Sequence, residues 1–265
     1  MPVYPRYLAG ATLDGYDDVL APLSGEHRWT GAEDALGNSY LTSSCQRARL
    51  GFLPELWPEP IVQVTASALP LESPLWHISF DQHTPQELIT AVTAQLAEAL
   101  CDDPGFPHAY RDIADASALP PAAGWTTWSG AGHTMLMAPD SLASIIVHRP
   151  PHPGEQPKAQ AGWAFHGGVG SGDHDWHATF SHHTPHRLVR AFHQALTSPV
   201  PLQRHRSEIP TEHLPHLRQP HSADPPRWAA AQIRSAQGLY PDHGPNLPTA
   251  VPSPARPSQQ SRLRP

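Results

Sequence analysis

An α+β fold follows from three observations: a duplication, a two-residue period inside each copy, and a helical period directly after it. The pattern W-H-x-[S/T]-F-x-x-H-T-P-x-x-L occupies residues 76–88 and returns at residues 176–188, 100 positions later. In Trp76-His77-Ile78-Ser79-Phe80 and Trp176-His177-Ala178-Thr179-Phe180, apolar and polar residues alternate, the signature of a strand with one buried face. Leu88, Val92, Leu96 and Leu100 then recur at helical spacing, as do Leu188, Phe192 and Leu196. The expected architecture is two tandem repeats, each an antiparallel β-sheet of about four strands followed by one packed α-helix, then a disordered C-terminal tail. Residues 1–118 are assigned to the first repeat with an N-terminal extension, 119–202 to the second, and 203–265 to a Pro/Arg-rich tail.

Each repeat begins with a hairpin. Residues 38–43 and 47–53 flank the turn-forming Ser44-Cys45-Gln46, and residues 133–138 and 142–149 flank Pro139-Asp140-Ser141. Extended segments at 61–66 and 161–166 come next, followed by the motif strands. At the helix starts, Thr84 and Thr184 suit the N-cap and Pro85 and Pro185 the first helical position. Glu87 would complete a capping box with Thr84; Arg187 cannot do so in the second copy. The helices should stop near Cys101–Gly105 and Thr197–Pro199. Trp76, Phe80, Thr84, Pro85, Leu88 and their counterparts Trp176, Phe180, Thr184, Pro185, Leu188 form the structural motif. The proline-rich stretch 149–159 and the glycine-rich stretch 167–172 read as loops. Residues 226–237 could add a short helix within the tail.

Composition narrows the function classes. No apolar run approaches the ~18–20 residues of a membrane span, and the first residues show no signal-peptide pattern. Two cysteines, Cys45 and Cys101, fit free thiols in a reducing compartment, so a cytoplasmic location is expected. Residues 1–200 carry 9 Lys and Arg against 20 Asp and Glu, a net of −11, whereas 201–265 carry 8 against 4, a net of +4. An acidic body repels phosphate backbones, which leaves nucleic acid to the tail, with Arg204, Arg206, Arg218, Arg227, Arg234, Arg256, Arg262 and Arg264. Trp29, Trp125, Trp128 and Trp163 lie in or near expected strands and read as core residues in preference to a base-stacking surface.

Six of the 19 histidines fall between positions 174 and 193. Of these only His177 and His183 recur in the first copy, as His77 and His83, so these four are the metal-ligand candidates. The preferred reading makes them polar-surface and corner-stabilising residues. Gly167–Asp173 lacks the Lys-Ser/Thr ending of a phosphate loop. No G-x-S-x-G, H-E-x-x-H or C-x-x-C motif occurs, and no catalytic residue or cofactor is nominated.

The opening Pro5-Arg6-Tyr7-Leu8-Ala9-Gly10, the W-H-x-[S/T]-F strand and the H-T-P-x-x-L helix start resemble the SPDY-domain family over roughly residues 3–200. The resemblance implies an actinomycete domain of unknown function that often occurs as two copies. It carries no activity or catalytic residues to transfer. The Ser-Pro-Asp-Tyr turn that names the family is altered here, to Ala138-Pro139-Asp140-Ser141 and Ser43-Ser44-Cys45-Gln46. The leading expectation is a non-enzymatic binding or scaffold module with a protein partner or a second copy of itself. The alternatives are a nucleic-acid-associated protein of mobile elements acting through the tail, and a histidine-based metal enzyme.

Overall fold

The computed structural model describes residues 1–12, 16–24, 29–56, 61–102, 106, 119, 122–130, 132–149, 161–170 and 172–218. The fold is α+β, dominated by one large antiparallel sheet. The first copy supplies β2 (Thr30–Glu33), β3 (Ser39–Thr42), β4 (Ala48–Phe52), β5 (Val62–Ser67), β6 (Pro74–Phe80) and α2 (Gln86–Asp102). Before it lie β1 (Pro2–Val3) and α1 (Tyr16–Leu20). The second copy supplies β7 (Thr126–Ser129), β8 (His133–Met137), β9 (Ala143–His148), β10 (Ala161–Gly167), β11 (Trp176–Ser181) and α3 (His186–Thr197), followed by β12 (Leu202–Gln203). Among the described residues each copy therefore holds five strands where about four were expected. The extra strands, β2 and β7, are four residues long and wholly exposed, so they carry no buried-face alternation to read.

The two copies share one sheet. Its strand order, β2-β3-β4-β5-β6-β11-β10-β9-β8-β7, reads as the same unit from either end. The motif strands β6 and β11 meet at the centre, with Ser79 opposite Thr179 and their hydroxyls 2.6 Å apart. These are equivalent positions of the duplication, so a local twofold relation passes between them. The helices α2 and α3 lie on one face and pack against each other.

The apolar stripes explain this arrangement. Trp76, Ile78 and Phe80 face the helices together with Trp176, Ala178 and Phe180, and all six are buried. Phe192 of α3 sits among Phe165, Phe180 and Phe80, with ring centres 4.7, 5.4 and 5.7 Å away. Phe80 belongs to the other copy, so the aromatic core crosses the seam. Each such ring is worth about 1.5–3 kcal/mol of burial, and neither helix could bury its stripe as fully alone.

Three expectations need correction. First, Thr84 and Thr184 do not cap the helices: the N-cap of α3 is Pro185, without a side-chain bond. Thr84 instead donates to Asp81 at 2.8 Å, and Glu87 is taken by Arg204, so the capping box does not form. Second, the tail does not begin at 203. β12 pairs with β1, and the Arg204 guanidinium is buried against Glu87. His213, fully buried, meets the Leu8 carbonyl at 3.0 Å. Apolar Leu202 and Ile209 cover Val3 and Ala9, which gives the segment a core of its own. Third, Trp128 is 55% exposed on edge strand β7, whereas Trp29 and Trp163 are buried as expected and Trp125 is partly so. The tail helix expected at 226–237, all of the loop expected at 149–159 except Arg149, the side chain of Cys101 and the rest of the tail lie outside the described residues. The boundary expected at 118/119 sits at the end of the undescribed stretch 107–118.

Candidate functional site

Histidine and carboxylate chemistry gathers where the first copy turns from β6 into α2. The reason is local. Alternation on β6 and β11 sends Trp76 and Trp176 inward, so His77 and His177 point to the uncovered face of the sheet. The residue after Phe80, and its counterpart after Phe180, then caps the other copy. Asp81 accepts the His177 N–H at 2.6 Å, and its counterpart Ser181 accepts the His77 N–H at 3.1 Å. The Thr84 hydroxyl reaches the His177 carbonyl at 3.4 Å, and the Thr184 hydroxyl reaches that of His77 at 3.3 Å. The His-Thr-Pro corner, read as a helix start, is thus also a clasp between the copies.

The clasp is asymmetric in charge. Asp81 is 7% exposed and accepts from His83 N, Thr84 N and the Thr84 hydroxyl through Oδ1. Through Oδ2 it meets the His177 imidazole Nδ1 at 2.9 Å. This hydrogen bond raises the His177 pKa above its ordinary value. The bond also fixes the tautomer, leaving Nε2 as the free ring nitrogen. On the neighbouring strand His166 stands directly opposite His177, their ring centres 6.5 Å apart and ring planes within 26°. Partial burial of its flank lowers the His166 pKa. In the first copy the position opposite His77 is Thr65, and burial alone lowers the His77 pKa.

A second environment lies beyond the corner. Tyr16, Phe52, Gln82, His83, His174 and Glu212 line an open pocket of about 750 Å³, to which the segments flanking the two repeats also contribute. Tyr16 stacks on Phe52 at 3.8 Å. His83 meets the edge of His174 at 5.3 Å, and His174 pairs with Glu212 at 2.5 Å. Burial lowers the His83 pKa.

The four candidate histidines therefore do not converge. His77 and His177 share the open sheet face, His83 lines the pocket, and His183 is exposed at the second corner. Among the described residues no three His, Cys, Asp or Glu side chains are placed to hold a metal ion together. Sequence reasoning missed Asp81, His166 and Glu212. Asp81 had a readable signal, because the corner reads Asp81-Gln82-His83-Thr84 in one copy and Ser181-His182-His183-Thr184 in the other. His166 had none, since the register that sets it opposite His177 is not written in either strand, and Glu212 lies outside the repeat.

The hairpin turns supply one further comparison. Gln46 and Ser141, the last residues of Ser43–Gln46 and Ala138–Ser141, have φ of 60° and 63°. Each returns its N–H to the first residue's carbonyl, at 2.8 and 2.9 Å. A family model described as SPDY, a domain of unknown function (DUF317), matches residues 42–99, which start at this turn, and again residues 137–202. The chain is a tandem SPDY-domain protein. No curated protein and no solved structure matches it. Both SPDY matches run from the turn through the clasp and the helix, so the outer strand β2 precedes the first match and β7 the second. Tyr7, outside both, donates to the Asp140 carboxylate of the second turn at 2.7 and 2.8 Å, and its carbonyl accepts the Trp176 indole N–H at 2.8 Å.

Proposed function

We propose that this tandem SPDY protein is a non-enzymatic binding module whose uncovered sheet face seats a protein partner. The observation that carries the reading is the one-sided sheet: among the described residues it is ten strands wide, and α2 and α3 cover one face only. Antiparallel sheets tolerate such a face when it is polar. The row Gln63-Ser79-Thr179 across the seam is polar and only partly buried. The fusion of two SPDY domains supports a single broad surface in preference to two small ones. The acidic balance of residues 1–200 favours a partner with basic groups.

The test is affinity capture at endogenous expression, comparing the native protein with two outer-face variants, Thr65→Arg and Ser144→Arg. Both point away from the helices, on β5 and β9. A helix-side control, Glu98→Arg, leaves that face untouched. The reading expects a partner lost from the outer-face variants and kept by the control. It is overturned if no partner is captured and the purified protein turns over a component of a metabolite extract.

The alternative through the tail rests on the five arginines after residue 218, since Arg204 is occupied by Glu87. It predicts salt-sensitive nucleic-acid binding that disappears when the chain ends at Arg218.

A further inference from the structure

We propose that His166 and His177 form a transition-metal site on the open face of the sheet, supported from behind by Asp81, with copper(II) as the preferred ion. The first argument is placement. The two imidazoles stand opposite each other on adjacent antiparallel strands, where the backbone ladder fixes their separation. Their ring centres are 6.5 Å apart. A metal–nitrogen bond of about 2.0–2.1 Å, with about 1.1 Å more to the ring centre, sets that separation at roughly 6.4 Å for nitrogens on opposite sides of an ion and roughly 5.2 Å at the tetrahedral angle. The observed spacing fits the opposed arrangement of a tetragonal ion, which is copper's preference and not zinc's.

The second argument is the support. A metal-bound histidine usually donates its other N–H to a carboxylate, which orients the ring and raises its basicity. Asp81 does this for His177 at 2.9 Å. The carboxylate is itself held by backbone and hydroxyl donors at 2.6–3.1 Å, so the imidazole is oriented before any ion arrives. Two imidazoles complete only half of a four-coordinate shell, and water or a bound partner's donor fills the rest.

The third argument is internal. At the corresponding place in the first copy the residues are His77, Thr65 and Ser181: one imidazole, no opposing one and no carboxylate. The chain should therefore bind one ion at this level of affinity and not two.

The experiment uses the full chain without an affinity tag, titrated separately with copper(II) and zinc(II) by calorimetry at neutral pH. Copper(II) should bind one equivalent, more tightly than zinc(II), with a tetragonal electron paramagnetic resonance signal showing two nitrogen couplings. His166→Ala and His177→Ala should each weaken it at least tenfold. Asp81→Asn should weaken it about 10–100-fold, and His77→Ala should leave it unchanged. His166 is exposed, so thermal melting of His166→Ala should match the native protein, and His177→Ala should melt cooperatively close to it. The proposal is overturned by the absence of a one-equivalent site, by tighter zinc(II), by unchanged copper(II) affinity in either ligand variant, or by loss of the site in His77→Ala.

Discussion

Removing the Asp81 carboxylate should be among the most damaging single changes at the seam. In Asp81→Ala four donors lose their acceptor: the N–H groups of His83, Thr84 and His177, and the Thr84 hydroxyl. The His177 imidazole loses its partner as well but is 46% exposed and can turn to water, so it is left out of the sum. Hydrogen bonds to a charged group contribute about 1.5–3 kcal/mol each, and a buried donor left unpaired costs about 1–3 kcal/mol. Thr84 is the buried member of the set, and the His83 and His177 N–H groups rehydrate in part. The expected loss is about 3–5 kcal/mol, most of it from the buried Thr84 donors that lose a charged acceptor. Ser181→Ala in the other copy removes one neutral acceptor for the His77 N–H and a hydroxyl contact to Thr184, and should cost about 1 kcal/mol. Urea unfolding at pH 7 measures both as midpoint shifts with unchanged slopes. A loss below ~1 kcal/mol for Asp81→Ala, or one no larger than that of Ser181→Ala, would refute the clasp as a source of stability.

The remaining predictions concern pH, packing and the chain end. His193 is 1% exposed with neither ring nitrogen bonded among the described residues, and burial pushes its pKa down to about 4. Its neutral form is native, so stability should be full above the ordinary value of about 6.5 and fall by about 3 kcal/mol as pH drops towards 4; His193→Leu should flatten that slope in acid-titrated unfolding. His177 works in the opposite direction: its raised pKa adds stability below its ordinary value that is lost as pH rises through the folded value. Proton-NMR titration should place its midpoint above that of a free histidine, and Asp81→Asn should bring it down; an unmoved midpoint would contradict the pairing. Trp76→Ala and Trp176→Ala should each cost about 3–5 kcal/mol in denaturant unfolding. Trp176→Phe should cost about 1 kcal/mol more than Trp76→Phe, because Trp176 donates to Tyr7 while Trp76 Nε1 has no partner among the described residues. Ending the chain at Gln203 should lower the melting temperature by removing Arg204 and His213, whereas ending it at Arg218 should leave it near the native value.

Much of the fold was legible because burial imposes period. The alternation at Trp76–Phe80 and the stripe Leu88-Val92-Leu96 exist because one side of each element faces apolar neighbours, and both elements lie where that period puts them. β2 and β7 escaped notice because exposed edge strands need no pattern. The segment after 203 was misread for a related reason. Its order comes from a few long-range anchors, Arg204 to Glu87 and His213 to Leu8, and not from a periodic apolar face. Thr84 was assigned to its helix because the local spacing satisfies a capping rule, yet its hydroxyl is drawn to Asp81 and to a carbonyl 93 positions away. Of the candidate site, the outward direction of His77 and His177 was predictable from alternation. The opposition of His166 to His177 was not, because strand register between separate segments is set by tertiary packing.

The Ser79–Thr179 contact has a meaning for how such a protein can change. In a symmetric dimer of separate chains, any substitution at the axis occurs twice and meets its own copy. Joining the halves in one chain lifts that restriction. One side of the clasp can carry the carboxylate Asp81 while the other keeps the neutral Ser181, and Thr65 can stay inert where the other half places His166. Duplication within a single chain thus preserves the mutual support of two equal halves while allowing one of them to specialise.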